Sequence, residues 1–471
     1  MWLLAVVLIL AWTLWKTFTV GRRYALGSAV ALSLLVPNWV EVWLGPLWFD
    51  MRVTTAAIAL SIYCLHPRTR WHGPLVAADW ALVGLMAVHV ASDTVNDGFQ
   101  WTTLLRTYGE WGIAYVAGRL AIQEIGDLRR LAPLVCLVGM LLAGWAVFEA
   151  VTHVNPADVV FGQRPPEMFP RSVVRLGLKR AEGPVRHPIF FGMLQLLLWP
   201  WSLEAAAQST AGRRPRWWRA APWVSAVGIL ATVSRGPTLA LGAACYLVAL
   251  GSRPAWRRPL LAAGAVAALL LFVGRHQIID VLHVLSQEHK LGSEARVVVD
   301  GQEIPYTGTM HRVLLWRVYA KAMQRAGWIG FGTDRTAGFP IRVPFGPEDT
   351  QTLKYLQFID NEYILLDLRL GRLGVIGFVC LIAAPAIYLL LLGRPGHECR
   401  LFCLGLAAVM MSVMLELFTV WLPHDFGFVL FWSCGVGAGL WSDARRRFAN
   451  PALARAGQSL RNPRIDGPQH A

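Results

Sequence analysis

Long apolar segments alternate with short polar connections along the whole chain. Apolar segments of helical character occupy residues 2–20, 25–45, 53–66, 74–92, 100–120, 131–151, 187–205, 220–235, 236–251, 259–275, 362–392, 401–421 and 427–441. A membrane-spanning helix needs about 20 mainly apolar residues, so these segments are candidate spans. The pattern predicts an all-α polytopic membrane protein with about 12–13 transmembrane helices, of which the first is the weakest candidate.

Composition supports the membrane interpretation. The chain has 471 residues, of which 55% are hydrophobic and 15% are charged, and its mean hydropathy is +0.45. A soluble domain carries about 25% charged residues. A soluble globular protein, or an enzyme anchored by a single span, is therefore excluded.

The basic residues indicate an orientation. The net charge of +15 would suggest nucleic acid binding in a soluble protein. Here the basic residues cluster between apolar segments, as the positive-inside rule predicts for cytoplasmic loops, so we expect a lipid bilayer and no nucleic acid as partner. The clusters are Arg22/Arg23, Arg68/Arg70, Arg129/Arg130, Arg213/Arg214/Arg216/Arg219, Arg253/Arg257/Arg258 and Arg445/Arg446/Arg447.

This orientation predicts an extracytoplasmic N-terminus, a cytoplasmic C-terminus and two outer loops. The expected regions are N-terminal transmembrane helices at 1–151, a first outer loop at 152–186, central transmembrane helices at 187–275, a large outer loop at 276–360, C-terminal transmembrane helices at 361–441 and a cytoplasmic basic tail at 442–471. In the large loop, Asp300-Gly301 predicts a β-hairpin and residues 309–325 form an amphipathic helical pattern. We expect function to reside in the outer loops.

Cysteine usage suggests neither disulfides nor a metal. The seven cysteines lie almost entirely in apolar segments, and their spacing predicts no disulfide framework and no zinc site. Cys399 and Cys403 are one helical turn apart, which is typical of an ordinary helix end. We therefore expect no metal and no cofactor.

Charged residues inside apolar segments are functional candidates because they are costly in hydrocarbon. Arg106 and Glu110 are four residues apart, and the simplest interpretation is an intrahelical ion pair that faces the bundle interior. Glu416 could partner an arginine or line a cavity, and the sequence does not choose between these alternatives.

Arginines near the outer face suggest recognition of an anionic group. Arg180, Arg186 and His187 precede an apolar segment, where they suit a phosphate-bearing head group; the alternative is that the arginines snorkel at a helix end. Ser234-Arg235-Gly236-Pro237 interrupts a continuous apolar stretch. Since Arg235 has no acid within ten residues, we favour a ligand phosphate over a structural carboxylate as its counter-ion.

The amphipathic segment and the residues after the large loop add further candidates. Arg312 and Trp316 are one helical turn apart, so a sugar could stack on the indole beside a phosphate on the guanidinium, although an interfacial tryptophan is the simpler alternative. Asp360 lies at the start of a helix. It could cap that helix or act as a general base towards a sugar hydroxyl.

Together these motifs resemble the superfamily of O-antigen ligases and Wzy-type O-antigen and exopolysaccharide polymerases. The resemblance rests on Ser234-Arg235-Gly236, on Arg312-x-x-x-Trp316 followed by Gly327-Trp-Ile-Gly-Phe-Gly332, and on Asp360-Asn361-x-Tyr363 with Leu-Gly-x-x-Gly-Phe behind it. It covers residues 180–378 by motif and the whole chain by topology.

The resemblance implies a fold and a reaction. Members are metal-independent glycosyltransferases of the GT-C type with a large periplasmic loop, which take glycan from an undecaprenyl-diphosphate-linked donor at the outer face of the bacterial inner membrane. Carried over by motif, Arg235 and Arg312 would hold the diphosphate, with Arg180 as a third member, and Asn361 would help to bind substrate. This agrees with the ability of fixed cations to stabilise a leaving diphosphate.

The resemblance leaves the base and the acceptor open. Ligases of the family typically have histidine where this chain has Asp360, and exopolysaccharide polymerases more often tolerate aspartate. Asp360 is thus the first candidate base, with His311 and His187 as alternatives. We expect a polymerase of lipid-linked repeat units that extends an acceptor glycan. The alternatives are a ligase that uses lipid A core, a protein O-glycosyltransferase, and, from another class, a lipid-linked oligosaccharide flippase, which would not need the large outer loop.

Overall fold

The computed structural model describes residues 2–44, 47–65, 73–162, 174–175, 177–273, 296–299, 302–305, 308–337, 341–343 and 358–449. Helices dominate this part of the chain. The N-terminal half contains α1 (Trp2–Thr19), α2 (Arg22–Ser33), α3 (Met51–Cys64), α4 (Ala77–Asp97), α5 (Trp101–Thr107), a π-helical turn (Tyr108–Gly112), α6 (Ile113–Ala121), α7 (Ile125–Thr152), α8 (Pro156–Phe161) and α9 (Pro188–Thr210).

The C-terminal half is similarly helical. It contains a 3-10 turn (Arg216–Ala220), α10 (Ala221–Ala231), α11 (Arg235–Ser252), a second 3-10 turn (Pro254–Trp256), α12 (Arg257–Val273), α13 (Gly308–Ala326), α14 (Thr333–Thr336), α15 (Glu362–Leu392), α16 (Arg400–Glu416) and α17 (His424–Ala449). The described strands form three antiparallel hairpins, β1 with β2 (Glu41–Leu44, Leu47–Asp50), β3 with β4 (Val174–Arg175, Leu178–Lys179) and β5 with β6 (Arg296–Val299, Gln302–Pro305). The prediction of an all-α membrane protein is confirmed.

Each apolar segment predicted from the sequence contains a helix, but the second segment is shorter than expected. The predicted span 25–45 is helical only to Ser33, and Glu41 already belongs to the β1–β2 hairpin. Proline disfavours a helical conformation in the residue before it and cannot donate a backbone hydrogen bond, so Pro37 ends the segment. Among the described helices, α7, α9 and α15 are long and apolar enough to cross a membrane.

Helix α9 forms the centre of the bundle and packs against α7, α10, α16 and α17. Its Trp201 is fully buried and stacks on Trp432 of α17, with ring centroids 5.1 Å apart and an angle of 10° between the rings. Stacked indoles bury a large apolar surface, so this pair ties α9 and α17 together in the core.

Basic residues from separate segments meet at one end of the bundle, here called the basic end. Arg23 lies 3.0 Å from Asp127, and Arg129 lies 2.7 Å from Glu398. Arg400 donates to the carbonyl of Gly251 at 2.5 Å. The structure therefore gathers several of the basic clusters on one side, as the positive-inside pattern predicts.

The predicted elements of the large loop are present. Strands β5 and β6 pair antiparallel, with Arg296 opposite Pro305, whereas the predicted turn residues Asp300 and Gly301 lie outside the described residues. The amphipathic segment forms α13, and its Leu314 and Tyr319 share an apolar cluster with Leu368 of α15. This packing places α13 over the first turns of α15.

Candidate active site

The segment between β4 and α9 carries a buried arginine, Arg180, which is 8% exposed. Its Nη2 donates a hydrogen bond to Oγ of Ser234 at 3.1 Å. Arg235 begins α11 beside this contact. Burial, with repulsion from Arg175 and Arg235, lowers the pKa of Arg180 to about 10. Two of the predicted arginines thus converge on one strongly electropositive position.

The turn between α10 and α11 contacts Glu416, an acid whose partner the sequence did not predict. Glu416 is the last residue of α16, and its carboxylate lies against Gly236, so a Cβ at this position would require the carboxylate to move. Glu416 also interacts electrostatically with Arg312. The structure thereby places this acid between the Ser234–Gly236 turn and α13.

Asp360 lies opposite the first turn of α13. Burial raises the pKa of Asp360, while the neighbouring His311 and Arg312 oppose this rise. Burial lowers the pKa of His311, which donates a hydrogen bond to the backbone of Phe358. The predicted base and two of its predicted neighbours are therefore brought together, and Arg312 connects them to Glu416.

Asn361 caps α15, so the interpretation of Asp360 as the cap is wrong. The Oδ1 of Asn361 accepts from the backbone N–H of Ile364 at 3.1 Å, and its Nδ2 donates to the carbonyl of Phe418 at 2.8 Å. An amide side chain can accept and donate at once, and this one links α15 to the segment after α16. The arrangement leaves the Asp360 carboxylate available to face α13.

Trp316 and Arg312 occupy exposed positions one turn apart on α13, as the sequence predicts. The Trp316 ring is 39% exposed, and its centroid lies 6.5 Å from that of Phe418. An exposed indole beside a cation can stack on the apolar face of a sugar.

Arg186 and His187 tie the start of α9 to neighbouring backbone. The Nη2 of Arg186 donates to the carbonyl of Asn38 at 3.5 Å. The Nδ1 of His187 accepts from the backbone N–H of Ile189 at 3.2 Å, which makes it the N-cap of α9. These contacts give both side chains a structural role beside the binding role that the sequence predicted for them.

A cavity of about 470 Å³ lies on the other side of the first turn of α15. Ligand sites commonly measure about 300–1,000 Å³ and combine apolar walls with a few polar groups. Asp360 faces α13, whereas Glu362 lines this cavity. Its aromatic walls and charged groups are supplied by Trp111, Trp421, Phe428, Phe431, Arg106, Glu110, Asp334, Arg369 and His424.

A charge network that the sequence did not predict borders the cavity. Arg369 forms a bidentate ion pair with Glu110, with both N···O distances 2.7 Å, and its Nε donates to Thr333 at 3.0 Å. Trp111 donates to Nδ1 of His89 at 3.0 Å. The position of Arg369 within an apolar segment marks it as a functional candidate. Its partner Glu110 could not be predicted, because it is 259 positions away in the chain.

The predicted ion pair within the fifth apolar segment is wrong. Glu110 pairs with Arg369, whereas Arg106 lies 3.4 Å from Asp334 and 3.8 Å from Asp93. Glu110 belongs to the π-helical turn, an irregularity that often occurs at functional sites. Arg106 and Glu110 therefore each pair with residues on other helices and not with each other.

One group of candidate metal ligands occurs among the described residues, away from Arg180, Arg235 and Arg312. His397, Cys399 and Cys403 place their ligand atoms within 4.8 Å of one another. The group lies between α15 and α16, near Arg447 of the basic end.

Residues 220–382 match the Wzy_C model, described as O-antigen ligase. This segment of the chain is thus similar to the O-antigen ligase family. No curated protein matches the chain in sequence.

One solved structure is similar to this chain. It is described as "Structural coordination of polymerization and crosslinking by a peptidoglycan synthase complex", with 19% identity, 78% of this chain and 98% of that chain covered, and a TM-score of 0.36.

The matched O-antigen ligase segment contains much of the converging cluster. Arg235, Arg312 and Asp360 lie within 220–382, whereas Arg180 and Glu416 lie outside it. The match supports glycosyl transfer of the O-antigen ligase or polymerase type and a membrane location.

Proposed function

We propose that this chain polymerises undecaprenyl-diphosphate-linked oligosaccharide repeat units into exopolysaccharide or O-antigen. The observation that supports this most directly is the convergence of Arg180, Arg235, Arg312 and Asp360, which come from four separate parts of the chain. Cations that collect around a buried acid suit a reaction with an anionic leaving group and a hydroxyl nucleophile.

The arginines would bind the donor diphosphate. In the proposed reaction, an acceptor hydroxyl attacks the anomeric carbon of the donor sugar while the bond between that carbon and the diphosphate oxygen breaks. The electron pair leaves with the diphosphate, whose charge Arg235 and Arg312 would stabilise. Arg180, fixed by Ser234, would contribute further positive charge.

Asp360 would accept the hydroxyl proton. Its burial raises its pKa, which makes the carboxylate a stronger base than an exposed aspartate. His311 lies beside Asp360 and is the first alternative base, and His187 is the second. Asn361 would act indirectly, by fixing the start of α15.

The aromatic residues would provide sugar contacts. Trp316 is exposed one turn after Arg312, so a donor sugar could stack there while its diphosphate contacts the arginines. Arg186 and His187 would help to shape the entry to the site from the start of α9.

Charge distribution supports an orientation in the bacterial inner membrane. We infer that the basic end faces the cytoplasm. The large loop, α13 and the arginine cluster would then face the periplasm, where lipid-linked glycan would be presented.

Two observations favour different acceptors. Aspartate at position 360 favours a polymerase, in which the acceptor is another lipid-linked glycan. The match to a family described as O-antigen ligase favours transfer to lipid A core. We favour the polymerase over the ligase because Asp360 would itself take part in the proposed reaction.

The test uses purified protein in nanodiscs with an undecaprenyl-diphosphate-linked repeat unit, without acceptor or with lipid A core. We compare wild type with Arg312→Ala, Asp360→Asn and Arg317→Ala, a control on an exposed arginine of the same helix. A polymer ladder without added acceptor, retained in Arg317→Ala and lost in Arg312→Ala, supports the polymerase. Product only with lipid A core supports the ligase, and wild type without product from either acceptor overturns both assignments.

A further inference from the structure

We propose that His397, Cys399 and Cys403 bind a zinc(II) ion at the basic end of the bundle. The residues come from the connection between α15 and α16 and from the first turn of α16. Cys399 and Cys403 are 1% and 0% exposed. Imidazole nitrogen and thiolate sulfur are the preferred ligands of structural zinc.

The interatomic distances fit tetrahedral coordination. Zn–S bonds of about 2.3 Å and Zn–N bonds of about 2.05 Å imply an S···S separation of about 3.8 Å and an S···N separation of about 3.6 Å. The two sulfurs are 3.6 Å apart, and Sγ of Cys399 lies 3.5 Å from Nδ1 of His397. All three ligand atoms lie within 4.8 Å of one another, so they form a compact triangle rather than an extended relay.

The local charges also favour a cation. Glu204 of α9 is 2% exposed and interacts electrostatically with both Cys399 and Cys403. The Nε of Arg129 lies 3.9 Å from Oε1 of Glu204, but this arginine makes a shorter ion pair, at 2.7 Å, with Glu398. Arg213 also acts on Glu204 electrostatically. A divalent ion would compensate the negative charge that two thiolates and a buried carboxylate bring to this site.

A zinc ion here would join two helices rather than take part in glycosyl transfer. It would fix the α15–α16 connection at the end of the bundle opposite the start of α15, where Asp360 lies. Water would fill the fourth coordination position. Binding would release the thiol protons to solvent, with no change in oxidation state.

Metal content provides the first test. We expect about one zinc per chain in full-length wild type purified in detergent without chelator, and a loss of about tenfold or more in Cys399→Ser and Cys403→Ser. Cys434→Ser is the matched control because Cys434 is fully buried in α17, and it should keep its zinc. Equal zinc in wild type and in a Cys399→Ser/Cys403→Ser double variant overturns the proposal.

Cobalt(II) provides the second test, with a readout specific for the ligands. Added to metal-stripped wild type, cobalt should give a thiolate-to-metal charge-transfer band and the visible bands of a tetrahedral site, and equimolar zinc should abolish them. Variants are compared only as monodisperse material on size exclusion. Absence of the charge-transfer band in monodisperse wild type overturns the proposal and leaves S–H···S and S–H···N hydrogen bonds as the explanation of the distances.

Discussion

The carboxylate of Glu416 lies directly against Gly236, although the two residues are 180 positions apart in the chain. A side chain at position 236 would occupy the space of that carboxylate. The contact fixes the end of α16 beside the turn that carries Arg235. It therefore couples the position of one arginine to an acid that also interacts with Arg312.

Gly236→Ala should lower transfer activity about tenfold or more, because overpacking costs about 1–3 kcal/mol and would move Arg235 or Glu416. Gly242→Ala is the control, since a Cβ there has nothing within 4 Å. The measurement is the rate of product formation at saturating donor. The relationship is wrong if Gly236→Ala and Gly242→Ala have equal activity, or if Gly236→Ala lowers activity by the same factor in the Glu416→Ala background as in wild type.

Arg180→Ala should raise KM for the lipid-linked donor and lower kcat, because a buried cation held by Ser234 would be removed from the diphosphate site. We expect a loss of kcat/KM of about 10²-fold. Ser234→Ala keeps the charge and should lose less activity than Arg180→Ala. The reverse order would show that Ser234 itself contacts the substrate.

The pH profile identifies the base. Activity should rise with pH as the base loses its proton, and burial raises the pKa of Asp360 above 3.8, so the acidic limb should lie at a higher pH than that of an exposed aspartate. Asp360→Asn should abolish this limb, while His311→Gln should only shift it. A limb that persists in Asp360→Asn and disappears in His311→Gln would make His311 the base.

Glu110→Gln should destabilise the protein, because it removes the carboxylate charge from the bidentate pair with Arg369. Both side chains are 18% exposed, which lowers the cost below that of a fully buried pair. Removing one partner of a buried pair costs about 3–5 kcal/mol. The measurement is Tm in detergent, and Glu398→Gln, which alters an exposed ion pair at the basic end, should change Tm far less. Comparable changes in the two variants would contradict a structural role for the Glu110–Arg369 pair.

Local pattern predicted the helices well because membrane spans and amphipathic helices are encoded in consecutive residues. The apolar segments, the β5–β6 strands and α13 all follow from such patterns. The cap of α15 was misplaced by one residue, since Asp360 and Asn361 are both good capping residues and only geometry selects one.

Long-range pairing could not be predicted in the same way. Glu110 has a local arginine four positions earlier, yet it pairs with Arg369 on α15. Glu416 contacts Gly236, and the sequence around neither residue predicts this contact. Electrostatic attraction identifies which residues need partners, but helix packing decides which partners are within reach.

The segment 327–332, which contains three glycines, forms backbone hydrogen bonds with α15 where that helix is interrupted at Gly371. Gly371 has a φ of 68° and Gly330 a φ of 83°. A Cβ at Gly330 would meet the backbone of Arg369, and a Cβ at Gly371 would meet the backbone of Trp328. The N–H of Phe331 donates to the carbonyl of Leu368 at 2.8 Å, and that of Leu373 donates to the carbonyl of Trp328 at 3.2 Å.

This pairing joins α13 and the first turns of α15 into one rigid unit. His311 and Arg312 are carried on one part of that unit and Asp360 on the other, so their spacing is set by main-chain contacts that do not depend on surface side chains. The part of the large loop before α13 can therefore change in length and sequence to suit a different glycan, while the reacting groups keep their geometry.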